Sequence, residues 1–90
     1  MKQKEMVVEL EAGLQARPAA QFVQKASGFS AALFIEKDGK RVNAKSIMGL
    51  MSLAIATGEE ITLIAEGSDE TTAIDQLSAF INPGQAEPTV

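Results

Sequence analysis

Hydrophobic and polar residues alternate in three segments of the chain, which is the pattern of strands that are buried on one face. Residues 5–10 place Met6 and Val8 on the apolar side, with glutamates among the alternate positions. Residues 32–37 and 60–66 alternate in the same way. The pattern therefore predicts three strands, each with one face toward a core.

A fourth strand is predicted from a turn signal. Asp38-Gly39 directly follows the second alternating segment. This dipeptide favours a two-residue hairpin, because both of its positions tolerate a positive φ. We therefore predict that residues 40–43 return antiparallel to residues 32–37.

Other segments carry apolar residues at the spacing of a helix. The first such helix is predicted to begin near Arg17-Pro18, since proline suits a first helical turn. It is predicted to end at Ser27-Gly28, through a glycine in the left-handed conformation.

Two more helices follow along the chain. Ser46 directly precedes an apolar run, which is the position of an N-cap, and the helix after it is predicted to end around Thr57-Gly58. A last helix is predicted to open at Asp69 and to stop at residues 82–84, Asn-Pro-Gly.

The predicted order of elements is β-α-β-β-α-β-α. One hairpin and two helical crossovers are typical of an α+β open-faced sandwich, a four-stranded antiparallel sheet with three helices on one face. Residues 1–82 are predicted to form this single domain, and residues 83–90 a disordered C-terminal tail.

The other face of the predicted sheet is expected to be open. Scattered apolar residues on a solvated face are ordinary, so simple exposure is one interpretation. A self-association surface that forms a homodimer is the alternative. The residues expected on this face are Val7, Phe34, Glu36, Thr62, Ile64 and Glu66.

Composition removes several classes of function. The 90 residues include neither cysteine nor histidine, so the chain lacks thiolate and imidazole metal ligands and the commonest general base at neutral pH. The glycines are scattered, and the sequence shows neither a phosphate-binding loop nor a catalytic triad. We therefore predict a protein that is not an enzyme and that holds neither a metal nor a cofactor.

Charge and hydropathy restrict the partners further. A net charge of −4 and the absence of tryptophan and tyrosine are unfavourable for binding a nucleic-acid backbone or for stacking on bases. The most apolar run, residues 47–56, is about half the length of a membrane span. With no export signal recognised near the N-terminus, we expect a cytoplasmic protein without direct contact with nucleic acid or membrane.

Ser46 is the first of two features that suggest a function. An N-cap serine stabilises its helix by about 1 kcal/mol, and this structural role alone is sufficient to explain the residue. A phosphoryl group on the same hydroxyl would lie at the positive end of the helix dipole, which favours negative charge by about 0.3–1 kcal/mol. Lys40, Arg41 and Lys45 are near in sequence and would soften the added charge.

The helix after Ser46 is the second feature. Its apolar residues cover nearly every side, and a small domain cannot bury all of them. Methionines in such a helix are more often core residues than interface residues, but they also suit an adaptable docking surface. The apolar residues are Ile47, Met48, Leu50, Met51, Leu53 and Ile55.

Two separated motifs in this chain resemble the HPr family of sugar phosphotransferase phosphocarriers. The first is GLQARPAA at residues 13–20, followed by Phe29, and the second is EKDGKRVNAKSIMGLMSL at residues 36–53. The resemblance covers residues 6–81 and implies the HPr-like fold. It is closer to the catabolite-repression HPr-like branch than to the phosphocarriers themselves.

The resemblance implies that one family activity is lost. In the phosphocarriers, the position of Gln15 is held by a histidine that accepts a phosphoryl group and passes it on. A glutamine amide is not a nucleophile toward a phosphoryl donor, and the chain has no histidine elsewhere. The chain is therefore expected not to act as a histidine phosphocarrier.

The resemblance implies that a second family site, at Ser46, is retained. HPr kinase/phosphorylase would phosphorylate Ser46 from ATP and also remove the group. The phosphorylated chain would be a corepressor for a LacI-type catabolite control protein in carbon catabolite repression. By the same resemblance, Arg17 would lie near the phosphate. The other partner-binding residues that the resemblance implies are Ala20, Ile47, Met48 and Met51.

Alternative hypotheses remain at this point. The unphosphorylated chain can be an adaptor or inhibitor that binds a metabolic enzyme, or the chain can be a homodimeric interaction domain. In a dimer, the first strand either stays within its own chain or exchanges between protomers, and the residues around Gly13 are compatible with both. Arg17 also has a simpler interpretation, as a solvated residue that slightly opposes the dipole of its helix.

Overall fold

The computed structural model describes residues 1–10, 13–14 and 17–82 of the chain. The observed elements follow the predicted order, and the predicted tail, residues 83–90, lies outside the described residues. Their bounds are β1 (Lys2–Val7), α1 (Arg17–Ala26), β2 (Ala32–Lys37), β3 (Lys40–Asn43), α2 (Ile47–Leu53), β4 (Glu60–Glu66) and α3 (Glu70–Ile81).

The strands form one antiparallel sheet in the order β1-β4-β2-β3. β4 is central, with Met6 of β1 opposite Ile61 and Leu33 of β2 opposite Ala65. α3 packs on β4 and β1, α2 contacts β3, and α1 packs on the other two helices. The prediction of an α+β open-faced sandwich is therefore confirmed.

The core lies between the sheet and the helices. Ile61, Leu63 and Ala65 of β4 point into it and are buried, as the alternation predicts. From the helix side, Phe22 is fully buried and its ring lies 6.1 Å, centroid to centroid, from that of Phe80. None of the helices in the described part of the chain has the length and hydropathy needed to cross a bilayer.

The predicted hairpin joins β2 to β3. Asp38 and Gly39 both have a positive φ, of 53° and 80°, as a two-residue hairpin turn of the primed type requires. Lys37 and Lys40 are paired directly across the turn. The dipeptide therefore has the conformation that the sequence predicts.

The predicted bounds of the first strand, residues 5–10, are wrong. β1 begins at Lys2 and ends at Val7, because the full length of β4 offers backbone partners and the pairing extends upstream into polar residues as far as Lys2 opposite Ala65. After Val7 the chain leaves the sheet, and the Glu9 N–H donates to the carbonyl of Ile81 instead.

Two predicted helix ends are also corrected. α2 ends at Leu53 rather than around residues 57–58, because Ala54 adopts a left-handed φ of 50° and donates its N–H to the carbonyl of Met51. α1 ends at Ala26, but Gly28 is not left-handed. Its N–H donates to the carbonyl of Lys25 instead, in the tighter i→i+3 pattern that also satisfies helix-end carbonyls.

The open face of the sheet carries the residues predicted for it. The register places Phe34 opposite Ile64 and Glu36 opposite Thr62. Ile64 is nonetheless only 3% exposed. The Arg41 guanidinium lies 5.8 Å from the centroid of the Phe34 ring and 3.7 Å from a carboxylate oxygen of Glu36. Side chains of the chain itself therefore cover the centre of this face.

Candidate phosphorylation site and docking surface

Ser46 caps α2, as predicted. Its backbone is extended, with φ −116° and ψ 117°, and its Oγ accepts a hydrogen bond of 3.1 Å from the Gly49 N–H. Its carbonyl accepts the N–H of Leu50 at 3.1 Å, which starts the helix. The cap uses a lone pair of Oγ and leaves the hydroxyl hydrogen, the atom that a phosphoryl group replaces, outside this contact.

Gly49 gives the serine room. A Cβ at position 49 would lie 3.3 Å from Cβ of Val42 and 3.4 Å from Oγ of Ser46. Distances of this size require the neighbours to move by a few tenths of an ångström. A glycine in the first turn of α2 therefore lets the helix sit close to β3 while the serine hydroxyl stays half-buried rather than enclosed.

The residues next to Ser46 at the start of α2 include a lysine but no acidic residue. The first turn of α2 contains no acidic residue. Lys45 precedes the serine, and its ammonium donates to the carbonyl of Phe29 at 2.8 Å. Arg41, expected to soften a phosphate charge, is instead engaged with Glu36 and Phe34 on the open face of the sheet.

α2 divides its apolar residues between the core and solvent. Leu50 and Leu53 are buried. Ile47 is 38% exposed, Met48 78% and Met51 50%. We call these three exposed residues the α2 surface; the prediction that this helix leaves apolar side chains in solvent is confirmed.

The structure places the other predicted partner-binding residues on the neighbouring helix. Arg17 and Ala20 are exposed on α1, which packs against α2. Gln15, the position at which the phosphocarriers have their histidine, lies outside the described residues. Arg17 and Ala20 therefore lie on a helix that packs directly against α2, the helix that carries the Ser46 cap and the α2 surface.

Sequence reasoning missed a polar contact at the other end of α2. The Lys37 ammonium donates to the carbonyls of Leu53 at 2.9 Å and Ala54 at 3.1 Å, and it lies 2.9 Å from Oε1 of Glu59. The same Oε1 accepts the N–H of Ala56 at 2.7 Å. We call this arrangement the Lys37–Glu59 clamp. Its two charged residues are far apart in sequence, so no local pattern indicates it.

The clamp changes the titration of its carboxylate. The hydrogen bond from Lys37, with a smaller contribution from the Ala56 N–H, lowers the pKa of Glu59 below its ordinary value. A lysine at the C-terminal end of a helix also has the favourable sign for the helix dipole. The clamp therefore fixes the C-terminal end of the helix whose N-terminal end carries Ser46.

Asp69 lies at the start of α3, as predicted, and its side chain has a further role. It precedes α3, but its side chain makes no capping bond there. Its carboxylate oxygens accept the backbone N–H groups of Ser30 at 2.8 Å and Ala31 at 2.9 Å. The bond from Ser30, followed by that from Ala31, lowers the pKa of Asp69. The residue therefore holds the segment before β2 against the start of α3.

The acidic residues that the structure describes are not grouped as a metal site requires. Among the described residues, no group of three or more acidic side chains is placed to hold a metal ion.

The open side of the sheet has a cavity of about 250 Å³ to which α2 contributes no residue. The cavity is lined by Glu5, Glu36, Lys37, Asp38, Gly39, Glu60, Ile61 and Thr62.

Comparison with known proteins identifies relatives across almost the whole chain. Residues 2–83 match the family described as the PTS HPr component phosphorylation site. The chain is 64% identical over 81 residues to the HPr-like protein Crh of Halalkalibacterium halodurans, covering 90% of this chain and 96% of that protein.

Solved structures resemble this one in fold as well as in sequence. The phosphocarrier protein HPr of Bacillus anthracis is 60% identical, with 90% of this chain and 96% of that chain covered and a TM-score of 0.89. Crh of Bacillus subtilis, crystallised as a dimer with a swapped domain, is 59% identical, with 92% and 95% covered and a TM-score of 0.74.

Proposed function

This chain belongs to the HPr family, and from that premise we propose that it is a regulatory phosphoprotein of carbon catabolite repression. In the proposed switch, HPr kinase/phosphorylase transfers the γ-phosphoryl group of ATP to Oγ of Ser46. The bond between the γ-phosphorus and the bridging oxygen breaks, ADP leaves, and the hydroxyl proton of the serine is released. The phosphorylated chain then binds a LacI-type catabolite control protein as its corepressor. The observation that carries the proposal is a half-buried capping serine beside an exposed apolar surface on the same short helix.

Residue 15 supports a regulatory role over phosphoryl transfer to sugar permeases. The chain is about as similar to an HPr, at 60% identity, as to a Crh, at 64%, so overall similarity does not separate the two roles. The chemistry of the side chains does separate them. Position 15 is glutamine and the chain contains no histidine, so it offers no imidazole to carry a phosphoryl group.

The proposed complex combines two kinds of contact. A phosphate on Ser46 and the Arg17 guanidinium would supply charge-assisted hydrogen bonds, which are stronger than neutral ones. The α2 surface would supply buried apolar area close to these charges. Because the partner would make the DNA contacts, the acidity of this chain is compatible with a role in transcription.

The experiment that tests the switch is intact mass after incubation with HPr kinase/phosphorylase and ATP, followed by peptide mapping. We expect one phosphoryl group, on Ser46, and none in Ser46→Ala. Ser52→Ala is a matched control, since Ser52 lies on the same helix and its Oγ donates to the carbonyl of Gly49 at 2.7 Å. An unmodified chain beside a phosphorylated HPr in the same tube would contradict the proposal.

If the chain is not phosphorylated, the adaptor function becomes the better proposal, because the α2 surface is exposed without any phosphate. Its marker is capture of a metabolic enzyme that survives Ser46→Ala and is lost in Met48→Ala. Binding that depends on Ser46 would argue against it.

We also propose that the chain forms a homodimer. The proposal is supported by the similar Crh of Bacillus subtilis, which was crystallised as a dimer with a swapped domain. The proposal covers both ways of pairing, with β1 kept or exchanged. Light scattering over a concentration series tests it, and a monomer at every concentration would contradict it.

A further inference from the structure

Apart from the N-terminal Met1, the methionines that are exposed to solvent both lie on the α2 surface. Met48 is 78% exposed and Met51 50%, whereas Met6 is 3% exposed in the core. Met48 and Met51 are three positions apart on a helix and therefore lie on neighbouring positions of one face. The chain has no cysteine, so no thiol competes with these thioethers for an oxidant.

We propose that Met48 and Met51 are a redox-sensitive modification site, at which a peroxide switches off docking by the α2 surface. The docking half of this inference rests on the proposed function. In the reaction, a sulfur lone pair attacks one peroxide oxygen, a sulfur–oxygen bond forms, and the oxygen–oxygen bond breaks. The sulfur loses two electrons and hydrogen peroxide is reduced. The attacked oxygen gives up its proton to become the sulfoxide oxygen, and the second oxygen takes up that proton and leaves as water.

The modification would change the surface strongly and the fold little. A sulfoxide replaces a flexible apolar side chain by a polar one, which no longer suits an apolar interface. α2 is held by other groups, namely buried Leu50 and Leu53, the Ser46 cap and the Lys37–Glu59 clamp. The oxidised side chains project into solvent, so the added oxygens need no partner within the domain.

The position beside Ser46 gives the site its regulatory meaning. Ser46 and Met48 are two residues apart, so the phosphoryl group and the sulfoxide would act on the same short helix. One modification adds a charge that the partner is proposed to recognise, and the other removes the apolar contact that accompanies it. Sulfoxide reductases reverse the oxidation, so both signals are reversible.

The first experiment measures the site itself, without any partner. The folded chain is treated with hydrogen peroxide, and the rate at which each methionine gains one oxygen is followed by peptide mapping. We expect Met48 and Met51 to react at least about tenfold faster than buried Met6, because exposure governs oxidation. Exposed Met1 serves as the internal reference. Equal rates at Met48, Met51 and Met6 would overturn the inference.

The second experiment measures docking. The chain is phosphorylated, oxidised and freed of peroxide with catalase, and then titrated with a LacI-type catabolite control protein. We expect oxidation to weaken binding about tenfold or more. We expect no further change on peroxide treatment of Met48→Leu/Met51→Leu, whatever its starting affinity. Unchanged affinity with both sulfoxides present, or an equal loss in the double variant, would overturn the inference.

The two experiments separate this inference from the proposed function. If the unoxidised phosphorylated chain does not bind the regulator, the proposed function is contradicted, and the docking half of the inference with it. If that chain binds and oxidation has no effect, only the inference fails. The mass measurement decides the modification site in either case.

Discussion

Ser46 has a structural role and a proposed signalling role, and substitutions separate them. Ser46→Ala removes the oxygen that accepts the Gly49 N–H, so we expect the free energy of unfolding to fall by about 1 kcal/mol. Ser46→Asn retains a capping oxygen and is expected to stay close to the unmodified chain in stability, although it cannot be phosphorylated. Urea unfolding measures both, and equal stability of the alanine and serine forms would contradict the cap.

Gly13 is required by its surroundings as well as by its φ of +67°. A Cβ there would overlap the carbonyl oxygen of Ile55 and lie 2.9 Å from Cα of Ala56. Gly58 is a matched control, because its φ is +90° but the space around it is open.

We therefore expect Gly58→Ala to cost about 1–2 kcal/mol, the usual penalty for a left-handed residue with a side chain. Gly13→Ala should cost more, because the steric overlap is added to that penalty. Thermal or urea unfolding of the two variants makes the comparison. Similar losses would mean that the backbone around Gly13 yields.

Arg17 tests whether α1 takes part in the proposed complex. Reversing its charge would replace an attraction for the phosphate by a repulsion, so we expect Arg17→Glu to weaken binding of the phosphorylated chain about tenfold or more. Lys25→Glu makes the same charge change at the other end of α1, where the side chain is also exposed, and is expected to have little effect. A titration in which both variants bind equally would leave Arg17 as a solvated residue.

For single residues, the sequence predicts the contacts that are made with near neighbours along the chain. The cap at Ser46 and the turn at Asp38-Gly39 depend on neighbours within a few residues, and both have the predicted conformation. Asp69 was predicted only to open a helix, but its carboxylate binds backbone N–H groups of Ser30 and Ala31, 39 and 38 residues away. No local pattern shows a contact over that separation.

Helices and strands have ends that depend on tertiary contacts, and α2 shows this most clearly. Alanine is a good helix former, so nothing local stops the helix at Leu53. It ends there because Ala54 turns left-handed and Lys37 from β2 binds the last carbonyls. β1 likewise extends upstream of its apolar residues, because β4 supplies backbone partners for the polar residues from Lys2 onward.

The Lys37–Glu59 clamp is expected to restrain the C-terminal end of α2. In Lys37→Met the carbonyls of Leu53 and Ala54 lose their donor, so we expect faster amide hydrogen exchange across α2. Lys40→Met removes a lysine from the exposed start of β3 and is the matched control. Equal exchange rates in the two variants would show that the buried leucines alone hold the helix.

The domain as a whole is expected to lose stability in acid. Hydrogen bonds lower the pKa values of Glu59, Asp69 and Glu70 in the folded chain: from Lys37 to Glu59, from the Ser30 N–H to Asp69, and from the Gly67 N–H to Glu70. A carboxyl whose folded pKa lies below its unfolded value contributes stability above the unfolded pKa. That contribution disappears as the pH falls through the folded value.

We therefore expect the free energy of unfolding to fall progressively below about pH 5, where the unfolded carboxyls begin to take up protons. Asp69→Asn removes one of these groups and should make the decline shallower, with a lower starting stability at neutral pH. Urea unfolding at a series of pH values tests this. If the stability of Asp69→Asn fell with pH in parallel with that of the unmodified chain, Asp69 would not contribute to the loss of stability in acid.

The position of β1 in the sheet has a consequence for how the protein is made. Lys2 is paired with Ala65, so the first strand must wait for 63 further residues to be synthesised before its partner exists. At about 5–20 residues per second this delay is roughly 3–13 seconds. Throughout this delay the backbone groups of β1 lack their strand partner, because β4 is the strand with which β1 pairs in the described part of the chain. The first strand to be made is therefore among the last to find its place in the sheet, and the domain cannot close until most of the chain has been synthesised.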